Sequence, residues 1–123
     1  MPAMTKEQLY NFLSRPSIAK IATLLPDGSP TVTPIWFEWD PKSESFLLWA
    51  RKGYGGLNSA WFDNVGRDPR LALLIDDPNP PHGRVLVLGK GRILFTPKNW
   101  LQIQRRMTER YVGKEKTQEY LDA

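Results

Sequence analysis

The chain has no cysteine, a single histidine and no long apolar run, and each shortage removes a class of chemistry. Without thiols there can be no disulfide, no thiolate metal site and no thiol nucleophile. His82 stands in a proline-rich stretch, PNPPHG, so a histidine triad or a multi-histidine metal site would rest on one loop residue. It is read as an ordinary loop residue. No apolar stretch approaches the roughly 20 residues that a transmembrane helix needs. The opening MPAMTKEQLYNF lacks a basic segment followed by an apolar one, so no secretory signal is expected and the cytoplasm is the expected compartment. Neither sign of charge dominates: 17 basic against 13 acidic residues leave a net +4. The excess lies late in the chain, at Arg84, Lys90, Arg92, Lys98, Arg105, Arg106 and Arg110. Nucleic acid is one reading of that cluster. The commoner one is a helix whose basic residues face water.

What is present suits one globular domain over residues 1–123, with 41% hydrophobic and 24% charged residues. Thr5 with Gln8 three residues later forms a capping-box signal, and Leu9, Phe12 and Leu13 follow at helical spacing. Pro16 stops that helix. Alternation from Ile18 to Leu25, then Pro26, Asp27 and Gly28, predicts a strand and a hairpin turn. The return strand over 31–39 carries Val32, Pro34 and Trp36 on one face and Thr31, Thr33, Ile35, Phe37 and Trp39 on the other, so neither face is fully polar. Pro34 cannot donate to a ladder, which places an edge or a break there. A third strand, 45–50, follows the turn at Asp40 and Pro41. Residues 71–75 are a continuous apolar run, read as a strand covered on both faces. A long strand over 84–95 contains Gly89 and Gly91, which mark a bend or bulge. Thr96 and Pro97 then read as N-cap and first residue of a helix with Trp100, Ile103, Met107 and Tyr111 on one face, ended by Gly113. A last helical segment covers 114–121.

Residues 48–70, LWARKGYGGLNSAWFDNVGRDPR, gather the chemistry most suggestive of a ligand. A strand end runs into Arg51 and Lys52, then into Gly53, Gly55 and Gly56, then into Asn58 and Ser59 at the start of a short helix carrying Trp61, Phe62 and Val65. Fixed cations, loose backbone and helix-terminal N–H groups together favour a phosphate. A solvated loop with two basic residues is the competing reading. Glu38 and Asp40 flank Trp39 and are expected to face solvent, so no general acid or base stands out. Trp36, Trp39 and Trp49, three of five tryptophans, fall on strands beside this stretch, and some are expected to line an interface.

Strands joined by hairpins, with helices at the start, middle and end, predict a mainly β fold: a six-stranded antiparallel split β-barrel with short flanking helices. The order of IAKIATLLPDGSPTVTPIWFEWD, FLLWA, NVGRDPRLALLIDD and VLVLGKGRIL, over residues 18–94, resembles the pyridoxamine 5'-phosphate oxidase-like family of flavin-binding split barrels, which includes users of the deazaflavin F420. The hairpin TLLPDGSPTVTPIWF and the segment NVGRDPR carry most of the likeness.

The resemblance implies a homodimer with FMN, or alternatively F420, in clefts between subunits. Carried over by position, it places Pro34, Ile35 and Trp36 near the cofactor ring, with backbone groups of Ile35 and Trp36 bonding its polar edge. It places Trp49, Ala50, Arg51 and Lys52 near the ribityl chain and phosphate, and Asn64 on the following helix. Trp61 stands where the family commonly has a lysine, so Arg51 and Lys52 are expected to supply the charge. The family usually adds a strand after the helix region, where this sequence ends at Ala123, so the barrel closes without it or a partner covers the edge. The implied activity is that of an FMN- or F420-dependent oxidoreductase acting on an unknown small molecule. The alternatives are a flavin or haem carrier without turnover and, more remotely, a small barrel stacking single-stranded nucleic acid.

Overall fold

The computed structural model of the chain describes residues 3–49, 60–94 and 99–122. Helix α1 spans Lys6–Leu13 and begins as its sequence demands. The Thr5 hydroxyl accepts from the Gln8 N–H at 3.2 Å, and the Gln8 side chain accepts from the Thr5 N–H at 2.9 Å. Two of the first-turn donors are thereby satisfied. Phe12 and Leu13 turn inward to the core.

Strands β1 (Ala19–Leu24) and β2 (Pro30–Ile35) form the expected hairpin, with Gly28 taking a φ of 86° in the turn. Positive φ suits glycine because it has no Cβ. Beyond Ile35 the structure departs from expectation. The predicted single strand over 31–39 breaks at Trp36, and β3 (Phe37–Asp40) pairs instead with β4 (Ser45–Leu48) in a separate antiparallel sheet. Helix α2 (Ala60–Arg67) leads to β5 (Arg70–Asp76) and β6 (Arg84–Lys90). The larger sheet has the order β2-β1-β5-β6 and is antiparallel throughout. Helices α3 (Trp100–Val112) and α4 (Lys114–Asp122) complete the order.

The protein thus has a mainly β fold of antiparallel sheets with several helices. The six strands stand in two sheets, however, and no closed six-stranded barrel forms among the described residues. Two local causes are visible. Proline at position 34 leaves β2 as an edge strand, as its missing N–H requires. Strand β6, expected to continue to Phe95, ends at Lys90: the Gly91 N–H still reaches the opposite Pro69 carbonyl at 2.8 Å, but Pro69 has no N–H to return the bond. Gly91 also packs so tightly on Val65 and Leu71 that a Cβ there would lie 2.6 Å from Val65 Cγ1. The expected cap at Thr96 and Pro97 lies outside the described residues.

The period-2 pattern sorts the larger sheet into two faces. Ala19, Ile21, Ile35, Leu73 and Ile75 face a core shared with Phe12, Leu13, Phe37, Trp61 and Val65. The opposite face aligns Val32, Ala22, Ala72 and Leu88 across the four strands, and Pro34, Lys20, Leu74 and Leu86 in the next row. Apart from Lys20, which pairs with Asp76 at 2.6 Å, and Arg84 at its end, this face is apolar and open to solvent in one chain: Val32 is 64%, Leu86 63% and Leu88 77% exposed. In the run 71–75, Leu73 and Ile75 are buried on one side with Leu71 half-buried, and Ala72 and Leu74 are half-buried on the other.

Helix α3 is anchored by Arg106 and Arg110, which the sequence reading sent to solvent, and by Tyr111 of its apolar face. The Arg110 guanidinium donates to the carbonyls of Ser14 (2.8 Å), Arg15 (2.7 Å), Leu13 (3.3 Å) and Phe37 (3.0 Å). It gathers the carbonyls at the end of α1 that have no helical partner. The Tyr111 hydroxyl accepts from the Phe37 N–H at 2.9 Å and donates to the Ser17 carbonyl at 2.7 Å. Arg106 makes a two-pronged ion pair with Glu38, both contacts at 2.7 Å, so Glu38 is engaged rather than free in water.

Candidate functional site

The break at Trp36 creates the site. Among the described residues the lateral side of β2 meets no further strand, and residues of the C-terminal helices line the space beside it. The Trp36 ring is held in a stack on Tyr111, with centroids 4.7 Å apart and planes 2° from parallel, and it packs at 5.3 Å on Tyr120 of α4. Each such pair contributes about 0.5–1.5 kcal/mol beyond its buried area. Tyr111 can serve as a platform because its hydroxyl is pinned to Phe37 and Ser17, and burial raises its pKa above the ordinary tyrosine value.

Alongside lies a cavity of about 280 Å³. Its strand wall is Thr33, Pro34, Ile35 and Trp36; Trp49 and Trp61 add two more indoles; Gln104, Met107 and Thr108 come from α3, and Tyr120 and Leu121 from α4. No charged side chain lines it among the described residues. An aromatic wall with a few polar groups fits a flat, largely apolar ring, and an edge strand offers backbone positions free of a ladder neighbour.

Five of the residues singled out from the sequence, Pro34, Ile35, Trp36, Trp49 and Trp61, come together here. Ala50, Arg51 and Lys52, with the glycines after them, lie outside the described residues. Asn64 does not line the cavity. It is buried, donates from Nδ2 to the Thr23 hydroxyl at 3.1 Å, and accepts from Arg67 Nη2 at 2.6 Å, tying α2 to β1. Arg67, which also donates to the Leu24 carbonyl at 3.2 Å, is a cation one helical turn beyond Asn64 that the sequence reading passed over. Trp61, at the position of the expected lysine, is a core residue only 6% exposed.

The sequence reading also missed the contribution of α3 and α4. The face marked by Ile103 and Met107 was legible as apolar, but nothing local says which strand it covers. A second opening, of about 730 Å³, lies between the β3–β4 hairpin and the end of β6, lined by Trp39, Phe46, Leu48, Val87 and Ile93 among others. Trp49 and Trp61 border both spaces. Trp39 Nε1 is buried without a hydrogen-bond partner among the described residues. No group of three or more histidine, aspartate or glutamate side chains is placed to hold a metal among the described residues.

The family model described as pyridoxamine 5'-phosphate oxidase matches residues 5–123, and the chain belongs to that family. Solved structures agree. An F420 reductase superposes with a TM-score of 0.65 at 26% identity, over 92% of this chain and 80% of its own. A conserved hypothetical protein from Mycobacterium tuberculosis gives a TM-score of 0.69 at 23% identity, over 95% of this chain and 72% of its own. The heme storage protein HutZ from Vibrio cholerae shares the fold at 15% identity, with a TM-score of 0.63 over 92% of this chain and 79% of its own. No curated protein matches the sequence. Among the described residues no helix is long and apolar enough to cross a membrane.

Proposed function

We propose that the protein is a flavin-type oxidoreductase that binds FMN, or alternatively F420, with the cofactor ring in the cavity beside β2. The observation that carries this reading is the convergence of Pro34, Ile35, Trp36, Trp49 and Trp61 on one uncharged aromatic space. When bound, the cofactor supplies hydride or electron transfer. The chain's own part is to hold the ring: backbone groups of Ile35 and Trp36 at the open strand edge meet its polar rim, the indoles exclude water, and Arg51 and Lys52 take the phosphate outside the uncharged cavity. Family membership and the likeness to an F420 reductase support this assignment.

The unit is a cytoplasmic homodimer in this proposal. The open apolar face carrying Val32, Leu86 and Leu88 suits a second copy, because a monomer rarely leaves such a patch to water. Pro34 belongs to both that face and the cavity wall, so a second subunit there would adjoin the cofactor site.

An absorbance spectrum of purified protein, alone and after addition of FMN and of F420, is the test. No bound flavin and no uptake of either cofactor would sink the proposal. Loss of Arg51 and Lys52 together should weaken FMN more than riboflavin, which lacks the phosphate; equal losses would refute their role.

A carrier of flavin or haem without turnover is the second reading; the lack of any histidine or carboxylate in the cavity lining among the described residues favours it for flavin, whereas for haem it removes the usual axial histidine. Reduction of the bound cofactor by NADPH, or oxidation of reduced F420 by an acceptor, separates enzyme from carrier. The nucleic-acid reading loses support because Arg106 and Arg110 are committed to Glu38 and to backbone carbonyls.

A further inference from the structure

Gln104 brings the only carboxamide to the cavity lining among the described residues. The indoles, Ile18, Met107 and Leu121 supply apolar surface, and the Thr108 hydroxyl is already donated to the Gln104 carbonyl at 2.8 Å. The Gln104 side chain itself forms no hydrogen bond within the described residues. A half-buried amide without a protein partner keeps its donor and acceptor available to read a ligand. It stands two helical turns before Tyr111, on a helix locked in place by Arg110 and Tyr111, so its position is set by a rigid element.

We propose that Gln104 is a specificity-determining residue of the cavity, pairing through its carboxamide with the adjacent carbonyl and N–H of an imide edge on a neutral planar ring. A primary amide matches that edge because it presents a donor and an acceptor in one plane. The inference rests on the flavin-type reading above, and it adds that the ring is recognised without help from the phosphate.

The test uses the full chain and two neutral tricyclic probes: lumiflavin, which has the imide edge but no ribityl phosphate, and phenazine, which has neither. Affinities come from quenching of lumiflavin fluorescence and from calorimetry for phenazine. In Gln104→Met, which keeps side-chain length and removes the amide, lumiflavin should bind about tenfold more weakly while phenazine is unchanged, because one unmet polar edge costs on the order of a tenfold factor. Gln104→Leu is the second variant, and thermal unfolding checks that both remain folded. A wild-type protein that takes up FMN or F420 while lumiflavin binds wild type and variants alike overturns the role of Gln104 and leaves the cofactor reading standing. Uptake of FMN but not of lumiflavin also overturns it, since the ring would then depend on the phosphate. Failure of all three flavin ligands on the wild type removes both proposals together.

Discussion

Replacing Tyr111 with phenylalanine removes one oxygen atom and leaves the ring stacked on Trp36. That oxygen accepts from the N–H of Phe37 at 2.9 Å and donates to the Ser17 carbonyl at 2.7 Å. Phe37 is completely buried, so water has poor access to replace the lost acceptor. An orphaned buried donor costs about 1–3 kcal/mol, and the Ser17 carbonyl adds less because it has a second lone pair and more solvent. The expected loss is about 2 kcal/mol, or roughly 6–10 °C in Tm for a chain of this size. Urea unfolding followed by tryptophan fluorescence should show a lower midpoint with an unchanged slope. Tyr111→Leu should cost about 1 kcal/mol more, because the stacked pair goes as well. The hydroxyl also titrates. Burial raises its folded pKa above the ordinary value near 10, so its stabilising contribution is complete below about pH 10 and is lost as pH rises through the folded value. Tyr111→Phe should therefore flatten the alkaline limb of the stability curve. A loss below about 0.5 kcal/mol with the alkaline limb intact would refute the reasoning, since water would then be replacing the hydroxyl.

Other expectations follow from single contacts. Gly91→Ala should cost about 1–3 kcal/mol, because the new Cβ would lie 2.6 Å from Val65 and 3.1 Å from Leu71, whereas Gly89→Ala, with nothing within 4 Å, should be close to neutral in the same denaturation assay. Trp61→Lys, which supplies the lysine expected from the resemblance, should lower stability by about 3 kcal/mol or more and leave FMN affinity no better, since the position is a core site; tighter FMN binding in a titration would contradict this. Asp68 is held down to a pKa of about 2 by hydrogen bonds from Arg70, so its contribution is present above about pH 4 and is lost as pH falls toward 2. Asp68→Asn should remove that part of the acid-limb slope in pH-dependent unfolding, and an unaltered slope would show that the pairing is absent in solution.

Several features were legible because their causes are local. Thr5 and Gln8 are three residues apart, and the capping box needs nothing else. Pro34 lacks an N–H, and that alone requires an edge, which is where β2 stands. The hairpin at Asp27 and Gly28 is likewise written in its own residues. Pro34, Ile35 and Trp36, expected near the ring, Trp49, expected near the ribityl chain, and Trp61, at the expected lysine position, were named through resemblance, and the structure brings them to one cavity.

What escaped the sequence has partners far along the chain. Arg110 looks like any basic residue on a helix, and only packing brings it to carbonyls 95–97 residues earlier. Asn64 reads as a ligand contact until Thr23, 41 residues away, is seen to accept its amide. The switch of sheets at Trp36 is marked locally only by Pro34, and the apolar run Ile35, Trp36 and Phe37 does not say which sheet the chain joins next. By itself the sequence determined the helix caps, the strand periodicity, the edge at Pro34 and the family, since these depend on neighbouring residues and backbone stereochemistry. The tertiary structure decided which helices wall the cavity, which cations are already committed and whether the sheet closes, because each depends on contacts that exist only once distant segments are packed together.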